Sequence, residues 1–254
     1  MSALEVEDVV VRFGGVVALD GPSFDVESGE ICGLIGPNGA GKTTLFNCVS
    51  RLYTPRRGEI RFDGENLLRY KPHEIAGLGI ARTFQNLALI HGMSVRDNVL
   101  LGAHHRAGAG VVRSMLWLPA VRAEEDALRE QADEMLERLE LAPLADRPAA
   151  GLPYGTLKRI ELARALCQQP RLLMLDEPAS GLTHGEVEEL GETIRGLRDD
   201  FGLTVLLVEQ HMAMVMQISE RVVVLDFGRK IADGAPGDVQ RDEAVIEAYL
   251  GSDE

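Results

Sequence analysis

Apolar positions follow two rhythms along this chain. Between residues 3 and 35, short β-branched stretches (VEDVVVRF, VVALDGPSFDV, EICGLIG) are divided by Gly, Asp and Ser turn residues, which predicts strands. Further on, LLMLD (172–176), TVLLVE (204–209) and RVVVLDFG (221–228) are unbroken apolar runs of strand length. Such runs fit strands covered on both faces of a parallel sheet. Helical patterns lie around them over 42–51, 156–168, 184–199 and 242–250. Alternating strands and helices predict an α/β fold that binds ligands beyond the C-terminal ends of its strands.

From about residue 86 to 165 the rhythm changes, with no strand-like run. In AEEDALREQADEMLERLEL (123–141), Leu128, Ala132, Met135, Leu136 and Leu139 share one helical face, and Glu, Asp and Arg fill the other. The acid-first pairs Glu125–Arg129 and Glu134–Arg138 stand four apart and add modest support. The expected organisation is a mostly parallel α/β core over 1–85 and 166–254, including an antiparallel β subdomain, with a helical lobe inserted over 86–165.

Composition narrows the function. The 254 residues carry 26 Lys and Arg against 40 Asp and Glu, a net charge of −14. That balance argues against a partner in nucleic acid or an anionic membrane surface. Any phosphate must be held by local geometry. The three cysteines, Cys32, Cys48 and Cys167, are odd in number and far apart, so neither a disulfide framework nor a zinc site is expected. The start lacks the basic and apolar regions of a signal peptide, and no apolar run reaches the ~18 residues of a membrane span. A soluble protein of the reducing cytosol is expected.

Two segments carry chemistry. Gly36-Pro37-Asn38-Gly39-Ala40-Gly41-Lys42-Thr43 fits the P-loop pattern GxxxxGK[ST], directly after a predicted strand and before the helix that continues through Thr44. Its glycines let consecutive N–H groups converge on phosphate oxygens, and the helix N-terminus adds its positive end. Lys42 supplies a point charge between β- and γ-phosphates, and the Thr43 hydroxyl is a Mg²⁺ ligand. In LLMLDEP, an apolar strand ends in two acids: Asp176 is placed to hold Mg²⁺, and Glu177 to orient or deprotonate an attacking water.

With these motifs the chain resembles the ATP-binding subunits of ABC transporters over essentially its whole length. The resemblance implies a P-loop NTPase core, ATP and Mg²⁺ as cofactors, and ATPase activity. It matches Phe13 to the aromatic that stacks on adenine, although a buried strand aromatic is the other reading of that residue. It matches Gln85 to the Q-loop glutamine, which senses Mg²⁺ and the attacking water, and His211, past TVLLVEQ, to the switch histidine at the γ-phosphate. Pro153-Tyr154-Gly155-Thr156 takes the place of the signature loop that closes over a second subunit's ATP. Ser180-Gly181-Leu182-Thr183 takes the place of the D-loop. Two positions depart from the family pattern. Pro153 stands where a serine hydroxyl is usual, and Thr183 where an Asp is.

LPYG, EPASGLTHGEV, the segment near 104–122 and the ending AVIEAYLG narrow the resemblance to importers of branched-chain amino acids. Systems for urea, amides or lipid export, and a soluble non-transport ATPase, are the alternatives. The expected partners are a second ATP-binding subunit (a copy or a close paralogue), polytopic permease subunits and, indirectly, a solute-binding protein. The chain would then sit in the cytoplasm on the inner face of the membrane. A permease helix would dock in the groove between lobes near Gln85 and Asn86–Ser94, and Trp117 either joins that contact or packs the lobe against itself.

Overall fold

The computed structural model describes residues 2–83, 87–106 and 119–250. It divides into two compact bodies, one of Met1–Ile75 with Arg171–Glu254 and one of Ala76–Pro170. The insertion therefore begins earlier and ends later than the change in hydrophobic rhythm suggests.

The first body opens with β1 (Ser2–Phe13), β2 (Val16–Asp20), β3 (Phe24–Glu27), β4 (Ile31–Ile35), α1 (Lys42–Val49), β5 (Arg57–Phe62) and β6 (Glu65–Asn66). In its antiparallel sheet, ordered β2-β1-β5-β6, β1 also pairs with β3. Registers such as Leu4↔Val26 and Leu4↔Phe62 line up the apolar alternates of neighbouring strands. Leu4, Val6, Val26, Ile60 and Phe62 are all buried, as alternation on a one-sided sheet requires.

The second body holds β7 (Ile80–Arg82), α2 (Val95–Leu100), α3 (Pro119–Arg138) and α4 (Tyr154–Leu166). Ala132, Met135 and Leu136 along α3 and Leu139 just past its end are buried, the stripe predicted by the periodicity, and Leu128 is half-buried. Ser94 begins α2 by accepting the Asp97 N–H at 3.0 Å.

The chain then returns to the first body with β8 (Leu172–Asp176), α5 (His184–Phe201), β9 (Thr204–Val208), α6 (Met212–Ile218), β10 (Arg221–Asp226), β11 (Arg229–Gly234), α7 (Pro236–Val239) and α8 (Glu243–Leu250). Here the strands run β11-β10-β4-β9-β8. β10, β4, β9 and β8 are parallel, and β11 is antiparallel at the edge. Every residue of β4, β8 and β9 is buried, which explains their continuous apolar sequences. Because these strands are parallel neighbours, Ile35, Asp176 and Val208 all end at one edge of the sheet, and the three loops that follow meet there.

Candidate nucleotide site

The loop from Gly36 to Gly41 turns sharply because three of its glycines take positive φ: 148° at Gly36, 81° at Gly39 and 101° at Gly41. Two of them also permit close backbone approach. A Cβ on Gly36 would stand 2.0 Å from the Leu225 carbonyl oxygen, and one on Gly41 2.5 Å from that of Ala18. No side chain fits at either position. The loop is braced by the N–H of Gly228, which donates to the Ala40 carbonyl at 3.0 Å. Lys42, 6% exposed at the first turn of α1, donates from Nζ to the carbonyls of Gly36 at 2.6 Å and Pro37 at 2.9 Å. Burial holds its ammonium below the usual lysine range, opposed by the negative charges of Glu177 and Asp176. Lysine and acids, more than 130 residues apart in sequence, thus share one electrostatic site. Thr43 is exposed on the same turn.

Asp176, 3% exposed, closes β8. Glu177 takes a left-handed φ of 49°, and its N–H donates to the Val208 carbonyl at 2.8 Å. The turn separates the two acids in direction. Asp176 stays in the sheet while Glu177 leaves it half-exposed. Ser180, Gly181, Leu182 and Thr183 follow as a turn in which the Ser180 N–H reaches the Glu177 carbonyl at 3.2 Å. Thr183, in the place of the family's Asp, starts α5: its N–H and its hydroxyl both donate to the Glu186 carboxylate, at 2.8 and 2.7 Å.

Phe13 ends β1 at 46% exposure, so the reading of it as a core aromatic is set aside. Its ring meets Tyr53 edge to face, with centroids 5.0 Å apart. His211 precedes α6 with its side chain exposed, and it is Gln210 whose side chain meets Glu177. Pro153, Tyr154, Gly155 and Thr156 lie in the second body, at the start of α4. Pro153 precedes the first turn, and its carbonyl accepts the Leu157 N–H at 3.0 Å. Tyr154 is held by the buried Lys158, whose ammonium lies 5.7 Å from the ring centroid. Gln85 and Asn86, and the 107–118 segment with Trp117, lie outside the described residues.

Several contributors escaped the sequence reading. Glu209, 2% exposed, accepts backbone N–H groups from Ala179, Gln210 and His211. Tyr249 on α8 hydrogen-bonds the backbone of Gly36, and burial raises its phenol above the ordinary range. A cleft of about 410 Å³ runs between the phosphate loop and α8, lined by Asn38, Gly39, Phe227 and Glu247 among others. In the second body, the fully buried Asn98 accepts the Ile90 N–H at 2.8 Å and donates back to the Ile90 carbonyl at 3.0 Å. An acid after an apolar run was a usable signal for Glu209. Tyr249 offers none, because its partner is more than 200 residues away.

Comparison with known proteins adds an independent line. The family description "ABC transporter" matches residues 19–180, and "Branched-chain amino acid ATP-binding cassette transporter" matches 229–254. The chain is 42% identical over 248 residues to the high-affinity branched-chain amino acid transport ATP-binding protein BraF of Pseudomonas aeruginosa, covering 98% of this chain and 97% of that one. It is 40% identical, at the same coverage, to the corresponding protein LivG of Escherichia coli. Among solved structures, the ADP conformation of an ATP-binding cassette of an ABC transporter superposes with a TM-score of 0.86 at 32% identity, covering 99% of both chains.

Proposed function

The chain belongs to the ABC transporter family of ATP-binding subunits, and from that premise we propose that it powers uptake of branched-chain amino acids through separate permease subunits. It is an ATPase, as its family is, and none of its described helices is long and apolar enough to cross a membrane. The observation that carries the site reading is the convergence of Lys42, Asp176 and Glu177 at one strand edge.

In this reading the N–H groups of Gly39 to Thr44 and the Lys42 ammonium hold the triphosphate, and Phe13, edge-on to Tyr53, offers its face to adenine. Lys42 exchanges the Gly36 and Pro37 carbonyls for phosphate oxygens and keeps its proton under the pull of Glu177 and Asp176. The Thr43 hydroxyl and the Asp176 carboxylate are hard oxygen donors, the set that suits Mg²⁺. When bound there, the cation would neutralise charge on the β- and γ-oxygens. Glu177 takes the proton of the attacking water as its oxygen bonds to the γ-phosphorus and the bond to the ADP oxygen breaks. Tyr154, Gly155 and Thr156 at the start of α4 present N–H groups for the γ-phosphate of a second subunit. Pro153 contributes neither hydroxyl nor N–H, so these backbone donors carry that contact.

Permease docking is supported by Ile90 and Met93, exposed at 46% and 36% on a segment that the Asn98 side chain holds in shape. Solute choice is supported by the resemblance to the branched-chain amino acid relatives, over both the whole chain and residues 229–254.

Replacing Glu177 by Gln tests the chemistry. ATP affinity is expected to persist, hydrolysis to slow by ~100-fold or more, and an ATP-bound dimer to accumulate in size-exclusion chromatography. Turnover at the parent rate removes Glu177 from the role of base.

A further inference from the structure

Past β9 the chain reads Glu209-Gln210-His211, and the three side chains have different tasks. The Gln210 amide donates from Nε2 to Oε1 of Glu177 at 2.8 Å. This contact is built from behind. Oε1 of the buried Glu209 accepts the Gln210 N–H at 2.7 Å and the His211 N–H at 3.2 Å, while its Oε2 accepts the Ala179 N–H at 2.9 Å. One carboxylate therefore ties the loop after β9 to the loop after β8. Glu177 is fixed from its own side by its N–H on the Val208 carbonyl and its left-handed backbone. With both main chains held, the Gln210 amide meets the Glu177 carboxylate from a defined direction.

We infer that Gln210 is the positioning residue for Glu177, orienting its carboxylate toward the attacking water through the Nε2–Oε1 hydrogen bond. The inference rests on the reading of Glu177 as the base. It gives the place beside the carboxylate to an amide, which donates a hydrogen bond but neither takes nor releases a proton in the working pH range. His211, one residue on, caps α6 with its backbone and turns its ring to solvent. Orientation of a reacting group acts on the transition state more than on nucleotide affinity, so the effect belongs in kcat.

A double-mutant cycle tests this on the full-length chain. Single-turnover hydrolysis of Mg-ATP is measured for the parent, Gln210→Ala, Glu177→Gln and the double variant, with the Kd of a fluorescent ATP analogue as the check on folding and binding. Gln210→Ala is expected to lower the hydrolysis rate by ~10-fold or more and to leave KM and Kd within about twofold. In the Glu177→Gln background the same change is expected to cost less than about twofold, because its target is gone. Gln210→Glu keeps the shape but removes the donor, and is expected to slow the reaction at least as much as Gln210→Ala. Equal losses in both backgrounds overturn the inference while leaving Glu177 as base. Full turnover in Glu177→Gln overturns the base itself. Parent-rate hydrolysis in Gln210→Ala, with a His211→Ala loss that disappears in the Glu177→Gln background, gives the role to the histidine instead.

Discussion

At the residue scale, Glu209 shows how a buried acid can be structural. Its carboxylate is surrounded by three backbone N–H donors from two loops, which compensate the loss of water. Glu209→Gln turns one acceptor oxygen into an NH₂ group facing an N–H. It is expected to lower stability by ~1–3 kcal/mol, read as a lower urea midpoint at an unchanged slope. An unchanged midpoint shows that the loops do not depend on this carboxylate. The phosphate loop was legible in sequence because all its requirements sit within eight consecutive residues whose geometry is local. The glycines were legible as a set, but not the reason for two of them, since the atoms that exclude a side chain belong to Ala18 and Leu225. Gln210 gives no chemical signal of its own beside the neighbouring histidine, and its contact with Glu177 exists only through the fold. The pairing of β8 with β9, ending at Asp176↔Val208, places the residues after β9 beside those after β8, a neighbourhood the sequence does not display.

At the element scale, apolar strands and periodic helices were readable, and polar strands and the shortest helices were not. β8 and β9 appear as apolar runs because both faces are covered, whereas β5 and β11 carry Arg, Lys, Glu and Asp on exposed or half-exposed positions and break the pattern. α6, only seven residues long, follows β9 with too few residues to show a period. The start of α5 is a different lesson. The departure at Thr183 looks like a loss in the D-loop, yet the structure uses it to begin a helix with Glu186. Thr183→Ala is expected to cost ~1 kcal/mol through the lost cap, measured by thermal or urea unfolding. A loss under ~0.3 kcal/mol would mean that the Thr183 N–H on Glu186 carries the helix start without the hydroxyl.

At the scale of the whole molecule, the two sheets of the first body are joined by an ion cluster. Arg221 on β10 grips Asp233 on β11 with two hydrogen bonds, 2.6 and 2.9 Å, and reaches Asp25 on β3 at 3.3 Å. Burial pushes Asp233 up, but the hydrogen bonds and charges of Arg221 and Lys230 outweigh it, so its carboxyl lies below the ordinary value. A depressed carboxyl contributes stability above its unfolded pKa and loses it as pH falls through the folded one. The parent should therefore exceed Arg221→Gln in Tm near pH 7, and the gap should close below about pH 4 in scanning calorimetry. A gap that is constant with pH rules out Asp233 as its source.

The strand that launches the phosphate loop, β4, lies between β9 and β10, and the loop itself is propped by Gly228 and Tyr249. A ribosome delivers β4 early and those neighbours some 170 residues and more afterwards. The cradle is thus spelled out long before its supports are made, and a growing chain completes its grip on nucleotide only once β9, β10 and the helix carrying Tyr249 have followed.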